Sequence, residues 1–302
     1  MKRDLVSIFD LSKEDIEQIL ALSLRMREQP PVDLCKGSIL ASCFFEPSTR
    51  TRLSFEAAMH RLGGAVIGFS EGANTSAKKG ETLSDTMRVI GGYCDIAVIR
   101  HPQEGAARLA AESCAKPVIN AGDGANQHPT QTLLDLFAIR ECQGKIDDLS
   151  IAIAGDLKHS RTVHSLVLAL THYGVRLYFI SPEPLQLPAG CAGELRKKGV
   201  KFSFHETLEE VLPKVDILYM TRVQKERFHD PSSPIPHLKK NHLAKAKTTL
   251  RILAPLPRQE ELDPAIDASP HAYYFQQAQG GLYVRMAILS LFLQKTKKGE
   301  IF

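Results

Sequence analysis

The sequence predicts an α/β protein built from two doubly wound parallel-sheet domains, with the active site in the cleft between them. Nine apolar strand-like runs follow one another along the 302 residues, and helical patterns lie between most of them. Strands and helices that alternate at this spacing are typical of parallel sheets covered by helices on both faces. Nine strands are many for a single sheet of this kind, so we expect two domains.

The predicted strands are short apolar runs separated by turn residues and helical patterns. They cover Ser38–Phe45, Ala65–Phe69, Asp95–Ile99, Pro117–Ala121, Ser150–Ala154, Arg176–Ile180, Lys201–Phe204, Asp216–Tyr219 and Leu250–Leu253. The clearest helices are Thr130–Arg140, Thr162–His172 and a strongly apolar last helix, Tyr283–Leu293. We expect the helix that begins near Pro129 to join the domains, so that residues 1–129 plus 283–302 form one domain and residues 130–282 the other.

The composition is that of a soluble globular protein. Hydrophobic residues make up 43% and charged residues 24%, and the net charge of +4 comes without a lysine-arginine tract, which argues against nucleic acid as a partner. The first residues, MKRDLVSIFDLSKED, lack the apolar core of a signal peptide, and no run of 18 apolar residues occurs, so we expect a cytoplasmic protein that binds no membrane. The six cysteines include no CxxC pair, which predicts reduced thiols and no zinc or other metal site.

A dense polar cluster, Ser-Thr-Arg-Thr-Arg at residues 48–52, follows the first predicted strand. Apolar residues with helical spacing begin at Phe55, so the cluster lies where a strand gives way to a helix, with Ser48 as a candidate N-cap. The first amide groups of a helix attract anions, and arginines and hydroxyls bind phosphate. We therefore expect an anion site here. A capped surface helix with solvated arginines is the alternative.

Polar residues also follow several of the other predicted strands. In doubly wound sheets, ligands bind beyond the carboxyl ends of the strands. Residues able to bind anions or to polarise a carbonyl follow those ends here, namely Arg100, His128, Gln131, Arg161, Arg222, Gln224 and the stretch APLPR at 254–258. The pattern predicts one site, between the domains, for a polyanionic small substrate.

Each of these features also has a purely structural interpretation. Arg100 can cap a strand, and His128 precedes Pro129 and can be a simple turn residue. The pair Lys78-Lys79 lies in a polar stretch that a solvated loop also explains. The stretch GDLKHSRT follows a strand but lacks the G-x-G-x-x-G spacing, so we do not expect a dinucleotide cofactor.

Eight motifs follow one another in the chain. They are FFEPSTRTRLSFEAA, NTSAKKGETLSDT, RHPQEGAARLA, GDGANQHPTQTLLDL, GDLKHSRTVHSL, YMTRVQKER, APLPR and YFQQA. Together they resemble the catalytic chains of the bacterial aspartate carbamoyltransferases (aspartate transcarbamylases), over about residues 1–295. The combination S-T-R-T-R with Q-H-P-T-Q is specific to carbamoyltransferases, and R-V-Q with P-L-P-R indicates the aspartate branch.

The resemblance implies transfer of the carbamoyl group of carbamoyl phosphate to the amine of L-aspartate, giving N-carbamoyl-L-aspartate and phosphate. This is an early step of de novo pyrimidine biosynthesis, and it requires no metal or cofactor. Two alternatives stay open. One is a related transcarbamylase with another amine acceptor, such as ornithine. The other is a non-catalytic protein that binds carbamoyl phosphate or serves as an assembly partner.

The resemblance also implies roles for individual residues. The phosphate-binding set is Ser48, Thr49, Arg50, Thr51 and Arg100, and the groups around the carbamoyl moiety are Thr51, Arg100, His128, Gln131 and the backbone carbonyls of Pro255 and Leu256. The catalytic residues among these are Arg50, Thr51, Arg100 and His128. The aspartate-binding set is Lys79, Arg161, Arg222 and Gln224. The ion pairs that steady domain closure involve Glu46, Arg161 and Arg227.

Two implied partners are further protein chains. Ser76 and Lys79 resemble residues that reach the carbamoyl phosphate site of a neighbouring subunit, which implies a homotrimer with shared active sites. The bacterial type also implies a separate, zinc-containing regulatory chain. The sequence departs from the family pattern at four places, namely Pro47, His159-Ser160, Ala254 and the Pro-rich stretch Phe228–His237. We expect little effect from Ala254, because the inferred contacts there are backbone carbonyls. Because of the Pro-rich stretch, we make no prediction that the protein is cooperative.

Overall fold

The structure is a computed structural model that describes residues 4–70, 76–222 and 236–294. The chain divides into two compact units. Unit 1 comprises Met1–Leu133 and Gly280–Phe302, and unit 2 comprises Leu134–Gln279. The division falls inside two helices, α5 (Pro129–Gln143) and α8 (Tyr274–Gln294).

Unit 1 contains a parallel sheet, and helices connect its successive strands. Among its described residues the strand order is β2-β1-β3-β4. The strands are β1 (Ile39–Phe44), β2 (Ala65–Phe69), β3 (Ile96–His101) and β4 (Val118–Asp123). The helices that belong to this unit alone are α1 (Lys13–Glu28), α2 (Thr49–Arg61), α3 (Leu83–Gly91) and α4 (Ala106–Ser113). The central strands β1 and β3 are almost fully buried, which places their carboxyl ends on a rigid base.

Unit 2 contains a second parallel sheet, with the order β7-β6-β5-β8-β9 among its described residues. The strands are β5 (Ser150–Gly155), β6 (Arg176–Ile180), β7 (Lys201–His205), β8 (Ile217–Thr221) and β9 (Arg251–Leu253). The α-helices that lie wholly within the described residues of this unit are α6 (Arg161–Leu170) and α7 (Ala189–Lys197). Strand β8 is buried along its whole length and lies between β5 and β9.

Gly155 allows β5 and β8 to pair closely at their carboxyl ends. It pairs with Thr221 and has a φ of +120°, in the left-handed region. A Cβ atom at this position would lie 1.9 Å from the carbonyl oxygen of Thr221. Only glycine fits there without displacing backbone.

The structure confirms the predicted α/β class with two parallel sheets, and every predicted strand is present with its ends shifted by two residues or fewer. The last helix differs, because it begins at Tyr274 and not at Tyr283. Its first turns contain two glycines and three glutamines, which hid the helical pattern. Both glycines, Gly280 and Gly281, are buried in the helix, where tertiary packing outweighs their low helix propensity.

Further observations concern the described residues. No helix among them is both long and apolar enough to cross a membrane. In the same parts of the chain, no group of three or more His, Cys, Asp or Glu side chains has the geometry to hold a metal ion.

Four of the cysteines, Cys35, Cys43, Cys94 and Cys114, are buried. Burial raises the pKa of the Cys94 thiol to about 12, so it stays protonated at neutral pH.

Candidate functional site

The Ser-Thr-Arg-Thr-Arg cluster forms the N-cap and the first turn of α2, shortly after β1 ends. Ser48 occupies the predicted N-cap position, but its side chain makes no capping hydrogen bond. Thr49 and Arg50 are exposed, whereas Thr51 is buried. The Nε atom of Arg52 donates to Glu56 Oε1 at 2.7 Å along the helix. The cluster therefore presents an arginine and hydroxyl groups at the amino end of a 13-residue helix, which is favourable for anion binding.

Arg100 lies at the carboxyl end of β3, directly beside the end of β1. It pairs with Phe44 in the parallel register. Its Nε donates to Glu46 Oε1 at 2.5 Å, and its Nη1 donates to the carbonyl oxygen of Ala121 on β4 at 3.1 Å. One guanidinium thus connects the ends of three neighbouring strands. These contacts fix its orientation, since the guanidinium is planar and its donors have fixed directions.

The loop after β4 is organised by Asp123. One carboxylate oxygen accepts from Asn120 Nδ2 at 2.8 Å and from the Gln127 amide at 3.2 Å, and the other accepts from the Gly105 amide at 3.1 Å. These hydrogen bonds fix the loop that places His128 directly before α5, where its side chain is 5% exposed. The sequence did not identify Asn120 and Asp123 as part of the site.

His128 and Gln131 lie together at the beginning of α5. The Gln131 amide donates to the carbonyl oxygen of His128 at 3.0 Å. The Nδ1 atom of His128 is 3.5 Å from Thr130 Oγ1, at the limit of a hydrogen bond. The parallel sheet of unit 1 therefore gathers the Ser-Thr-Arg-Thr-Arg cluster, Arg100 and His128 at the carboxyl edge of its strands.

Ser76 and Lys79 lie in a short 3₁₀ helix, Ser76–Lys79, and both are exposed. Residues 71–75 before it lie outside the described part of the chain. An exposed lysine is a mobile point charge on a flexible stem, able to approach an anion from several directions.

In unit 2, the ends of β5 and β8 carry the predicted aspartate-binding arginines. Asp156 is fully buried and accepts from the amides of Lys158 and His159 at 3.2 and 2.9 Å, which closes a tight turn. The turn brings Ser160 Oγ to 3.1 Å from Thr221 Oγ1.

Arg161 then begins α6, and Arg222 follows β8 directly. Both arginines are half-buried. Two other predicted residues, Gln224 and Arg227, lie outside the described residues, as does most of the Pro-rich stretch Phe228–His237.

The stretch Ala254–Leu256 follows β9, and two hydrogen bonds from its backbone amides hold it. The Ala254 amide donates to Gln277 Oε1 at 2.8 Å, and the Leu256 amide donates to the carbonyl oxygen of Ala254 at 2.9 Å. Pro255 and Leu256, whose carbonyls the family resemblance assigns to the carbamoyl group, are half-buried.

A buried polar network lies behind this stretch. Gln277 Nε2 donates to Asp135 Oδ1 at 2.7 Å, and the Tyr219 hydroxyl donates to Asp135 Oδ2 at 2.9 Å. Burial, and then the Asp135 carboxyl group, raise the pKa of Tyr219 well above its usual value, so the hydroxyl remains a donor. The sequence reasoning missed these three residues, although all of them lie inside quoted motifs.

Two family models match the chain. The model described as "Aspartate/ornithine carbamoyltransferase, carbamoyl-P binding domain" matches residues 3–141, and the one described as "Aspartate/ornithine carbamoyltransferase, Asp/Orn binding domain" matches residues 147–292. The aspartate carbamoyltransferase catalytic subunit of Chromobacterium violaceum is 53% identical over 299 residues, which cover 98% of this chain and 99% of the relative.

Solved structures agree. The catalytic subunit of M. jannaschii aspartate transcarbamoylase superposes with a TM-score of 0.92 at 47% identity, over 99% of this chain and 100% of that one. The Trypanosoma cruzi enzyme, in complex with carbamoyl phosphate and aspartate, gives a TM-score of 0.90 at 38% identity, over 95% of both chains. The chain therefore belongs to the aspartate/ornithine carbamoyltransferase family, and within it resembles the catalytic subunits of the aspartate carbamoyltransferases.

Proposed function

We propose that this chain transfers the carbamoyl group of carbamoyl phosphate to L-aspartate, as an early step of de novo pyrimidine biosynthesis. The observation that carries the proposal is the cluster of cationic and hydroxyl groups at the ends of β1 and β3, beside the amino end of α2. Such a cluster suits a phosphate group with a neighbouring carbonyl. The cytoplasmic location expected from the sequence remains part of the proposal.

The reaction needs no covalent intermediate between the protein and a substrate. The aspartate amine attacks the carbamoyl carbon, and the carbonyl oxygen gains negative charge. The bond from this carbon to the phosphate oxygen then breaks, so that phosphate leaves with its electron pair and takes up the proton that the amine loses. Donors aimed at the developing charge contribute about 2.7–4 kcal/mol each in comparable acyl transfers. Holding both reactants in one orientation contributes roughly another 7–11 kcal/mol.

Each residue near the first substrate has a proposed task. Arg50 and Arg100 neutralise the phosphate, together with hydroxyls and amides of residues 48–51. Thr51, Arg100 and His128 surround the carbamoyl oxygen. The carbonyl oxygens of Pro255 and Leu256 accept hydrogen bonds from the carbamoyl NH₂ group, and Gln131 helps to orient it. The tethered guanidinium of Arg100 supports this assignment, because two fixed contacts already set its plane.

Aspartate is the proposed acceptor because the unit 2 candidates are cationic. Arg161 and Arg222, with Gln224 and Lys79, match the two carboxylates of aspartate. Ornithine carries an ammonium group in place of the side-chain carboxylate, which an arginine would repel. The proposed ion pairs of Glu46, Arg161 and Arg227 would form as the substrates bind.

We propose that the working form is a homotrimer in which Ser76 and Lys79 serve a neighbouring subunit's site. The exposure of both residues is compatible with that role. The relative from Chromobacterium violaceum is named a catalytic subunit, which supports a separate regulatory chain as a further partner.

The test is an acceptor assay with the purified chain. Carbamoyl phosphate is supplied with L-aspartate, with L-ornithine or with no acceptor, and phosphate release and carbamoylated product are both measured. We expect carbamoylated product only in the reaction that contains L-aspartate as the acceptor. Equal or greater product with ornithine would contradict the proposed acceptor, and phosphate release without any carbamoylated product would contradict the transfer reaction itself.

A further inference from the structure

Gln277 and Asp135 determine how the backbone after β9 is held. The Gln277 side chain is almost completely buried, with its oxygen on the Ala254 amide and its nitrogen on Asp135. An amide side chain can point either way, and here the carboxyl group sets the direction, because it can accept a hydrogen bond from the NH₂ end but not from the oxygen. Asp135 therefore fixes which end of Gln277 faces the backbone.

The hold on Ala254 extends to the next two residues. The Ala254 carbonyl oxygen accepts a hydrogen bond from the backbone amide of Leu256. The anchored peptide group and the turn after it are therefore held together. Pro255 contributes no amide donor, and its φ is restricted by its ring. The directions of the Pro255 and Leu256 carbonyls thus depend on the Ala254 peptide, and through it on Gln277.

We propose that Asp135 and Gln277 are positioning residues that aim the carbonyls of Pro255 and Leu256 at the carbamoyl group. This inference rests on the proposed function. Asp135 also holds the hydroxyl of Tyr219, two residues before Thr221 on β8. One carboxyl group thereby ties the strand that leads to Arg222 to the stretch that binds the carbamoyl amide.

The donor–acceptor pattern can be reversed without changing its shape. Asp135→Asn keeps a single acceptor oxygen, and the Tyr219 hydroxyl, which donates to this carboxyl group, should hold that oxygen on its own side. The new NH₂ group then faces Gln277 and should turn the Gln277 side-chain amide, so that its NH₂ meets the Ala254 N–H. Gln277→Glu places two carboxyl groups against each other. The double substitution restores the pattern, since the new amide at 135 donates to the new carboxyl group at 277, which still accepts the Ala254 amide.

We expect each single substitution to lower kcat/KM for carbamoyl phosphate at least tenfold, and the double substitution to recover it to within about threefold of the wild type, as for groups that interact directly. Gln277→Met, which removes both contacts without adding charge, should behave like the single substitutions and covers the case in which one of them fails to fold.

The matched control is Gln143, on the same helix as Asp135. Its Nε2 donates to the carbonyl oxygens of Asp216 and Thr249, so it ties the segments that enter β8 and β9 at their other ends. Gln143→Met should lower the thermal midpoint and leave kcat/KM unchanged. Equal kinetic losses at Gln143 and Gln277 would show a merely structural role and overturn the inference.

A second readout does not depend on turnover. Hydrogen–deuterium exchange of peptides covering residues 253–256 should be fast in each single variant and slow again in the double variant. If exchange there is unchanged in the folded single variants, the inference is wrong, whatever the activity. If the wild type makes no carbamoylated product while exchange follows the expected pattern, the proposed function fails and the anchoring stands.

Discussion

Arg100 donates its Nε hydrogen to Glu46 Oε1 at 2.5 Å while its Nη1 reaches the Ala121 carbonyl oxygen. The two directions need a planar fork, which lysine lacks. Arg100→Lys should therefore keep the charge, lose the orientation, and lower kcat at least about tenfold. Steady-state assays at saturating substrates measure this. A folded variant with wild-type kcat would show that only the charge matters.

Arg50→Ala should lower kcat at least about a hundredfold, because charge stabilisation of the leaving phosphate is lost. The side chain is exposed at the start of α2, so the thermal midpoint should stay the same. Arg61→Ala is the control, since Arg61 is exposed at the other end of the same helix. Near-normal turnover by the Arg50 variant would remove Arg50 from the phosphate site.

Arg222→Ala should raise the KM for aspartate at least about tenfold and change the KM for carbamoyl phosphate much less, because a charged hydrogen bond to one substrate carboxylate is lost. The measurement is a pair of saturation curves, one for each substrate. Equal increases in both KM values would contradict the assignment of Arg222 to aspartate.

Mixed trimers test whether the sites are shared. Lys79→Ala and Arg50→Ala proteins should each be nearly inactive, and a reassembled 1:1 mixture should regain activity. In a random mixture, about a quarter of the interfaces combine an intact Arg50 with an intact Lys79 from the neighbour. Subunit exchange is verified first by native mass measurement. Hybrids that remain as inactive as their parents would show that Lys79 works within its own chain.

Gly155→Ala should lower the free energy of unfolding by at least about 2 kcal/mol, because the added methyl group overlaps the Thr221 carbonyl oxygen. Gly193→Ala is the matched control in helix α7, where a Cβ would meet no atom within 4 Å. That change should stabilise the protein by about 0.5–1 kcal/mol. Denaturant titrations of both variants decide the point, and two similar midpoints would contradict it.

The strands were predictable because buried parallel strands are short apolar runs that stand out between helices. The start of α8 was not, since Tyr274–Gly281 has no continuous apolar face and ends in two glycines, which are poor helix formers. Its helical state depends on packing, which a local pattern does not contain.

The site was predictable where function sits on polar residues at strand ends, as at Arg50 and Arg100. The pairing of Arg100 with Glu46 was not predicted, because it depends on which strands become neighbours in the sheet. Asp135 and Gln277 were missed for the same reason. They are 142 residues apart, and only the fold brings them into contact.

Gln277 binds Ala254 through its backbone amide, and this contact has a consequence for how the sequences of the family diverge. A contact made by the backbone amide does not depend on the side chain at position 254, so the residue type there carries little information about the reaction. Positions 135 and 277 face the opposite constraint, because each restricts the donor pattern of the other. Across lineages we expect them to change together, as aspartate with glutamine or as asparagine with glutamate, and seldom singly.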